Sequence, residues 1–568
     1  MSQERFIKKY IDWIIPVCIG ILGWIAIALL FDFYYDLNDD VAIKDIISGV
    51  YTGLPDAHNN QMMYPISAIL ALLYRISGVR IPWFGLFEMF CFFVSFVLIG
   101  RCIMKYVQKN ILKIVLILIQ TIIWGGCYLW ELANIQYTVV CGMLVTAAAV
   151  WMYTTPEVAV WTDTPEDTGK NGSIAAWFLR QNIISILLCI IAFNIRSEMF
   201  LLFCPLLAMV GIIKWSEEDR WHAADTFKKY LCFIGVIAIG VAATFAIDFA
   251  AYSSDAWQEF RAFFDARTEV YDITGIPNYN DNEVFYELSG VSLQNYQSLV
   301  SYNFGLDDEV TTEMLESIAD YVKSGRAETT RPVKTIATSV REYISNAVNF
   351  NKAVPDMTTI FADEYSQHVP MNMIVLLGYV CLFMMLFYSG DKRLWLKIPV
   401  VVLLRSIPWI YVYSTSRVVV RLTHPMYMFE IMIVFVMIVK ATSQMRLKAI
   451  KGLAPIAGIF AVIFCVINLT SLIPEIAEKQ TFREDINATA SEVYTEAGDN
   501  PDTLYLLDVY STVDFTEKIF SEQCSKKNIR LAGGWTWSMP LKEDADYGKT
   551  CFARLNEYNE WEYSEIRK

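Results

Sequence analysis

Two adjacent carboxylates, Asp39 and Asp40, follow the first long apolar run of the chain, in Leu37-Asn-Asp-Asp-Val-Ala-Ile-Lys-Asp-Ile-Ile-Ser-Gly49. A carboxylate at a membrane interface can act as a general base, taking the proton of a hydroxyl as that hydroxyl attacks an electrophilic carbon. Its neighbour could orient the hydroxyl or help hold a divalent cation through oxygen ligands. The plainer alternative is capping. Asn38 or Asp39 would close the N-terminus of a short helix that lays Val41, Ala42, Ile46 and Ile47 on the membrane surface. One cap needs one such residue, and here three stand in a row.

Other groups could serve the same chemistry. Tyr51-Thr-Gly-Leu-Pro-Asp-Ala-His-Asn-Asn-Gln-Met-Met-Tyr-Pro65 holds Gly53, His58 and Tyr64 ahead of Ile66–Ile76, an apolar stretch too short to span a bilayer. A loop histidine is more often a surface residue than a catalyst, but His58 lies between the acidic pair and Tyr64-Pro65. Arg196 and Glu198 occupy the turn between two short apolar segments, and Arg417, Arg421 and His424 fall within Ser416–His424. Spacing of i, i+4 would put Arg417 and Arg421 on one helical face. Arg405 sits inside an apolar run, where a charge without a partner is costly. Arginine's planar fork suits phosphate, because it donates two parallel hydrogen bonds. The structural alternative pairs these arginines with Glu131, Glu198 or nearby aspartates, or lets them snorkel to the interface. Glu131 is a candidate for contacting substrate or for pairing with an arginine. Trp124, Trp130, Trp409 and Tyr411 read as interface-belt aromatics rather than sugar platforms.

The elements that must position these groups are membrane helices. Of 568 residues, 55% are hydrophobic, and several apolar runs are long enough to cross a bilayer. The pattern predicts eleven spans, at 13–33, 82–103, 111–128, 137–153, 181–195, 199–213, 230–252, 371–389, 398–413, 425–441 and 453–473. The fifth and sixth are short and could be broken helices. Arg5, Lys8 and Lys9 precede a first run too long for a cleaved signal, which reads as a retained anchor. With the N-terminus inside, the six inside segments and the helix ends that flank them hold 20 Lys and Arg and the four short outside loops hold 6. That asymmetry predicts a cytoplasmic N-terminus.

Four regions follow: an N-terminal membrane module, 1–253, with first external loop 34–81; an external helical insertion, 254–370; membrane helices over 371–473; and an external α/β module, 474–568. The insertion carries 19 acidic and 8 basic residues and the C-terminal region 19 and 11, which argues against nucleic acid as a partner. In the insertion, helices are expected at Leu315–Val322 and from Val340. In the C-terminal module a strand is expected over Leu504–Tyr510, a helix over Phe515–Cys524 and a strand over Ile529–Trp535. Cys524 and Cys551 are the one plausible disulfide; the other cysteines mostly lie in apolar runs. Walker, G-x-G-x-x-G, H-E-x-x-H and C-x-x-C motifs are absent from the sequence, against ATP-driven transport, dehydrogenase and zinc-protease chemistry.

The first loop resembles that of the GT-C superfamily of polytopic membrane glycosyltransferases, which includes protein mannosyltransferase and aminoarabinose transferase types. The resemblance rests on Asp39-Asp40, the helix Ala42–Gly49, the turn at Gly53, Tyr64-Pro65 and Ile66–Ile76, within residues 13–105. The pair here is Asp-Asp, whereas many relatives carry Asp-Glu or a spaced acidic motif, so metal dependence stays open. The resemblance implies an inverting transfer of sugar from a lipid-linked, polyprenyl-phosphate donor to a hydroxyl on a glycan, lipid or protein. Asp39 or Asp40 is then the base and, if a divalent cation takes part, its ligand. His58, Tyr64, Glu131, Arg196, Glu198, Arg405, Arg417, Arg421 and His424 form the candidate substrate-binding set. The expected location is a cell membrane, with both external regions extracytoplasmic. A transporter or flippase, or a polymerase or ligase of lipid-linked surface glycans, is the alternative, and a membrane scaffold is a further one.

Overall fold

Continuous apolar runs leave backbone polar groups no partner but their own helix, and this dictates most of the architecture. The computed structural model describes residues 3–156, 174–307, 309–327, 334–348, 369–415, 418–444, 451–521, 526–541 and 547–566. In chain order the helices are α1 (Gln3–Leu30), α2 (Asn38–Ser48), α3 (Tyr64–Ser77), α4 (Trp83–Met104), α5 (Asn110–Ala133), α6 (Tyr137–Tyr153), α7 (Ile174–Gln181), α8 (Ile183–Ile195), α9 (Ser197–Glu217) and α10 (Ala224–Ala251). The insertion supplies α11 (Asp255–Thr268), α12 (Glu283–Leu288), α13 (Leu293–Val300), α14 (Thr312–Lys323) and α15 (Ile336–Val348). The chain returns through α16 (Val369–Tyr388), α17 (Leu394–Ser414), α18 (Val420–Gln444) and α19 (Leu453–Asp499).

The protein is a multi-pass helical membrane protein. Among the described residues 9 helices are long and apolar enough to span, or 10 if the pair α7 and α8, bent by 61°, counts as one. All eleven expected segments are helical, with two differences. The sixth is not short, since α9 runs 21 residues. The fourth, α6, has only 17 residues, and every one of them is buried. A helix that is apolar all round belongs in a core, and α6 packs against α4, α8, α9 and α18. The lipid-facing surface is legible from large apolar side chains left bare, such as Leu29 at 81%, Ile239 at 71% and Leu403 at 65% exposure. Close crossings use small residues: a Cβ on Gly126 would collide with Cys465 of α19, and one on Gly142 with Pro425 of α18.

Helix α3 presents exposed Ile69, Leu72 and Ile76 on one face, as an interfacial helix would. Helix α2 does not lie open on a membrane surface. Residues Ile43 to Ser48 are buried, because other parts of the chain cover them. Part of that cover is the C-terminal region, where the expected helix over Phe515–Cys524 is absent from its described residues. Instead Glu517–Ile519 runs beside β1 (Tyr34–Tyr35), and the chain then turns. Tyr35 N donates to Glu517 O at 3.0 Å and Ile519 N to Phe33 O at 2.8 Å. On its other edge β1 pairs in parallel with β2 (Asn134–Ile135). The unpaired edge of a short strand is a template for another chain segment, and the Phe, Thr and Ile residues here suit extended backbone.

Four strands form the C-terminal sheet, β3 (Thr503–Leu507), β4 (Ile529–Leu531), β5 (Lys549–Leu555) and β6 (Trp561–Ile566), in the order β4-β3-β5-β6. The first three are parallel and β6 is antiparallel to β5. The end of α19 covers the sheet with Val493 and Ala497. That helix is 47 residues long, about 70 Å of continuous rod running from the bundle into the module. The proposed pairing of Cys551 with Cys524 lies outside the described residues.

Candidate functional site

At the end of the bundle that bears the first loop lies a cavity of about 660 Å³. That is ample for a small organic ligand. Parts of the chain far apart in sequence line it. The first loop contributes Asn38, Asp39, Asn60 and Gln61, the start of α6 contributes Tyr137, and the α8–α9 turn contributes Arg196 and Glu198. The insertion contributes Asp265, Arg267, Asp272 and Tyr302, and the C-terminal module contributes Arg530, Trp535 and Thr536. Met199, Leu202, Tyr411, Val412 and Leu422, from α9, α17 and α18, make an apolar wall on the membrane side, and Arg421 stands beside it.

The adjacent aspartates part company here. One residue along a helix turns the side chain by about 100°. Asp39 faces the cavity: Trp535 Nε1 donates to its Oδ1 at 2.8 Å, and Arg421 Nη1 lies 3.6 Å from its Oδ2. Asp40 is fully buried away from the cavity, accepting from Tyr137 N at 3.1 Å and from Leu37 N at 3.3 Å. It is thus the residue that reaches back to the helix start; Leu37, not Asn38 or Asp39, is the N-cap. Burial pushes the Asp40 carboxyl well above the usual carboxylate range, against the pull of its two N–H donors. The two carboxylates therefore offer no shared cation site, and among the described residues no group of three or more His, Cys, Asp or Glu side chains could hold a metal.

Arg196 is built into a network, donating to Tyr137 OH at 2.9 Å and to Gln61 Oε1, and pairing with Glu198 at 3.1 Å. The other expected site residues are placed elsewhere. His58 is held by Asp56 at 2.7 Å and by the rings of Tyr64, Tyr252 and Trp257, so it cements the first loop to the insertion. Tyr64 serves this cluster, and its backbone N–H donates to Asp248 at 2.9 Å. Glu131 pairs with buried His424 inside the bundle, and Arg405 pairs with buried Glu430 at 2.5 Å and with Tyr343 OH at 2.7 Å. His58, Tyr64, Glu131, His424 and Arg405 all stand apart from the cavity lining. Arg417 lies outside the described residues. Of the expected belt aromatics, Trp124, Trp130 and Trp409 are buried, the last two donating to Asp36 and Glu430, while Tyr411 is 60% exposed.

Arg267, Asp272, Tyr302, Arg530 and Trp535 are not singled out by the sequence, because nothing local separates them from ordinary residues of soluble segments. Two features of their surroundings are unusual. A π-helical turn, Glu269–Thr274, extends α11 and carries Asp272 into the cavity wall. Tyr302 and Asn60, both in the wall, have left-handed backbones with φ of 61° and 57°. For an aromatic residue that conformation costs about 1–2 kcal/mol.

Comparison with protein-family models, with curated proteins and with solved structures finds no match to this chain.

Proposed function

We propose that this protein is a membrane glycosyltransferase, GT-C-like and inverting, that moves a sugar from a polyprenyl-phosphate donor to a hydroxyl acceptor at the outer membrane face. The observation that carries the reading is the placement of Asp39: a cavity carboxylate 3.6 Å from Arg421, in a lining that holds four arginines and four further carboxylates, next to an apolar wall on the membrane side. A polyprenyl phosphate needs those surroundings, since its tail is apolar and its leaving group anionic. In the reaction the acceptor oxygen bonds to the anomeric carbon as the bond from that carbon to the phosphate oxygen breaks. The acceptor proton passes to Asp39, and polyprenyl phosphate leaves with the bonding pair. Arg196 and Arg421 would steady the developing charge. Trp535 donates to one oxygen of the base, and Arg421 lies 3.6 Å from the other.

The test is transfer of labelled sugar from the membrane polyprenyl-phosphate pool into envelope glycans, at matched expression. Asp39→Asn is expected to lower transfer by at least ~10²-fold, the size of a lost general base. Asp40→Asn is expected to retain transfer. Full activity in Asp39→Asn would refute this assignment and favour a transporter or scaffold.

A further inference from the structure

Several buried cations in this chain sit on carboxylates: Lys44 on Asp45 and Glu517, Lys229 on Glu218, Lys397 on Glu217 and Asp391, and Arg405 on Glu430. Arg267 departs from that pattern. It lines the cavity and is only 7% exposed. Its Nη1 donates to the Tyr302 hydroxyl and its Nη2 to Thr268 Oγ1 at 3.1 Å, both neutral acceptors. Its Nε is buried without a hydrogen-bond partner. Among the described residues no carboxylate lies within ion-pair distance of it; Asp272 and Asp39 act on it only at longer range. Burial opposes its charge, but the Tyr302 hydroxyl and the more distant Asp272 and Asp39 outweigh that, so the guanidinium stays charged while its buried Nε still lacks an acceptor, which an anion in the cavity would supply. By contrast Arg196 is paired with Glu198, and Arg421 faces Asp39.

The position is also enforced. The Tyr302 backbone is left-handed, at φ 61°, and Gly533 of the C-terminal module abuts its carbonyl so closely that a Cβ would collide with it. From that backbone position the Tyr302 hydroxyl meets Arg267.

We propose that Arg267, steadied by Tyr302, is a phosphate subsite of this cavity. The assignment rests on the glycosyl-transfer reading above and names a residue of the external insertion as the group that meets a phosphate there. That phosphate is either the headgroup of the lipid donor or one carried on a soluble acceptor, and the charge chemistry is the same for both.

The test is equilibrium binding to the full-length protein in nanodiscs, with polyprenyl phosphate, neutral polyprenol and inorganic phosphate as separate probes. Arg267→Gln is expected to weaken polyprenyl phosphate about tenfold or more while leaving polyprenol unchanged. Arg267→Lys keeps the charge but loses the fork, so it should fall between. Weakening confined to inorganic phosphate would also support the subsite and assign it to a soluble phosphate group. Unchanged binding of both phosphates to Arg267→Gln overturns the proposal. If that variant does not fold, Arg267→Lys and Tyr302→Phe decide, and unchanged phosphate binding in both overturns it. Binding is read without turnover. Protein that binds polyprenyl phosphate through Arg267 yet moves no sugar would refute the transfer reading and leave the subsite standing. Normal transfer with unchanged binding in Arg267→Gln would refute the subsite alone.

Discussion

Asp39 and Asp40 are chemically identical and adjacent, yet only one meets the cavity, because a helix sends consecutive side chains to different faces. Their contrast makes a pH prediction. Burial raises the Asp40 carboxyl well above the usual carboxylate range. The folded state therefore holds a proton there that the unfolded chain has released. Stability is full below the unfolded value and declines as pH rises through the folded one. The decline has a slope of up to ~1.4 kcal/mol per pH unit between the two values. Asp40→Asn should remove it, read as a flatter profile of thermal midpoint against pH. A second prediction concerns Arg405, offered by its type as a phosphate ligand but bound to Glu430 in the bundle. Arg405→Met leaves the buried Glu430 charge without its cation, with the Trp409 N–H still donating to it, and should destabilise by about 3–5 kcal/mol. Arg405→Met with Glu430→Leu should recover most of the loss; a double variant as unstable as the single one would count against a simple ion pair.

At the scale of elements, α2 is held from two sides by parts of the chain that are far away in sequence. Lys44 reaches Glu517 at 2.5 Å and Asp45 at 2.6 Å, and although burial alone would lower its pKa, the two carboxylates raise it. Trp535 closes the other side, its side chain packed against the apolar cluster that includes Ile46 and its N–H on Asp39. If that hydrogen bond aims the base, Trp535→Phe should keep the ring packing and the KM while lowering kcat about tenfold. Trp535→His, which retains a ring N–H, should recover part of it. An unchanged kcat in Trp535→Phe would make the indole a packing residue only. The segment after Thr512 shows why a locally plausible helix fails here. Phe515, Thr516, Ile519 and Phe520 are types that favour extended backbone, and the edge of β1 supplies partners for it.

For the whole molecule, the C-terminal module belongs to the site rather than to a separate appendage. It is stitched to the first loop by backbone pairing at Tyr35 and Ile519, and by Arg483 of α19, which donates to Asn134 at 2.5 Å and to Asp36 O at 2.9 Å. The module, the insertion and the first loop must therefore lie on one side of the membrane. The distribution of Lys and Arg predicts that this side is external. In intact cells an impermeant thiol reagent should label Tyr558→Cys, where Tyr558 is 75% exposed, and should reach Gln108→Cys only after permeabilisation. The reverse pattern would invert the topology and move the proposed chemistry to the inner face.

The apolar runs, the helical bundle, the short apolar stretch at Ile66–Ile76 and the acidic pair were all readable from residue order, because length, hydropathy and local periodicity are local properties. Strands at Leu504 and Ile529 were readable for the same reason, whereas β5 and β6 were not expected at all. Which aspartate faces the cavity, the burial of α2, the ion pair that occupies Arg405 and the convergence of Arg267, Tyr302 and Trp535 on the cavity that holds Asp39 depend on contacts between residues far apart in the chain. Those contacts are settled by packing, by the cost of burying an unpaired charge and by an open strand edge seeking partners. None of these leaves a mark on the neighbouring sequence.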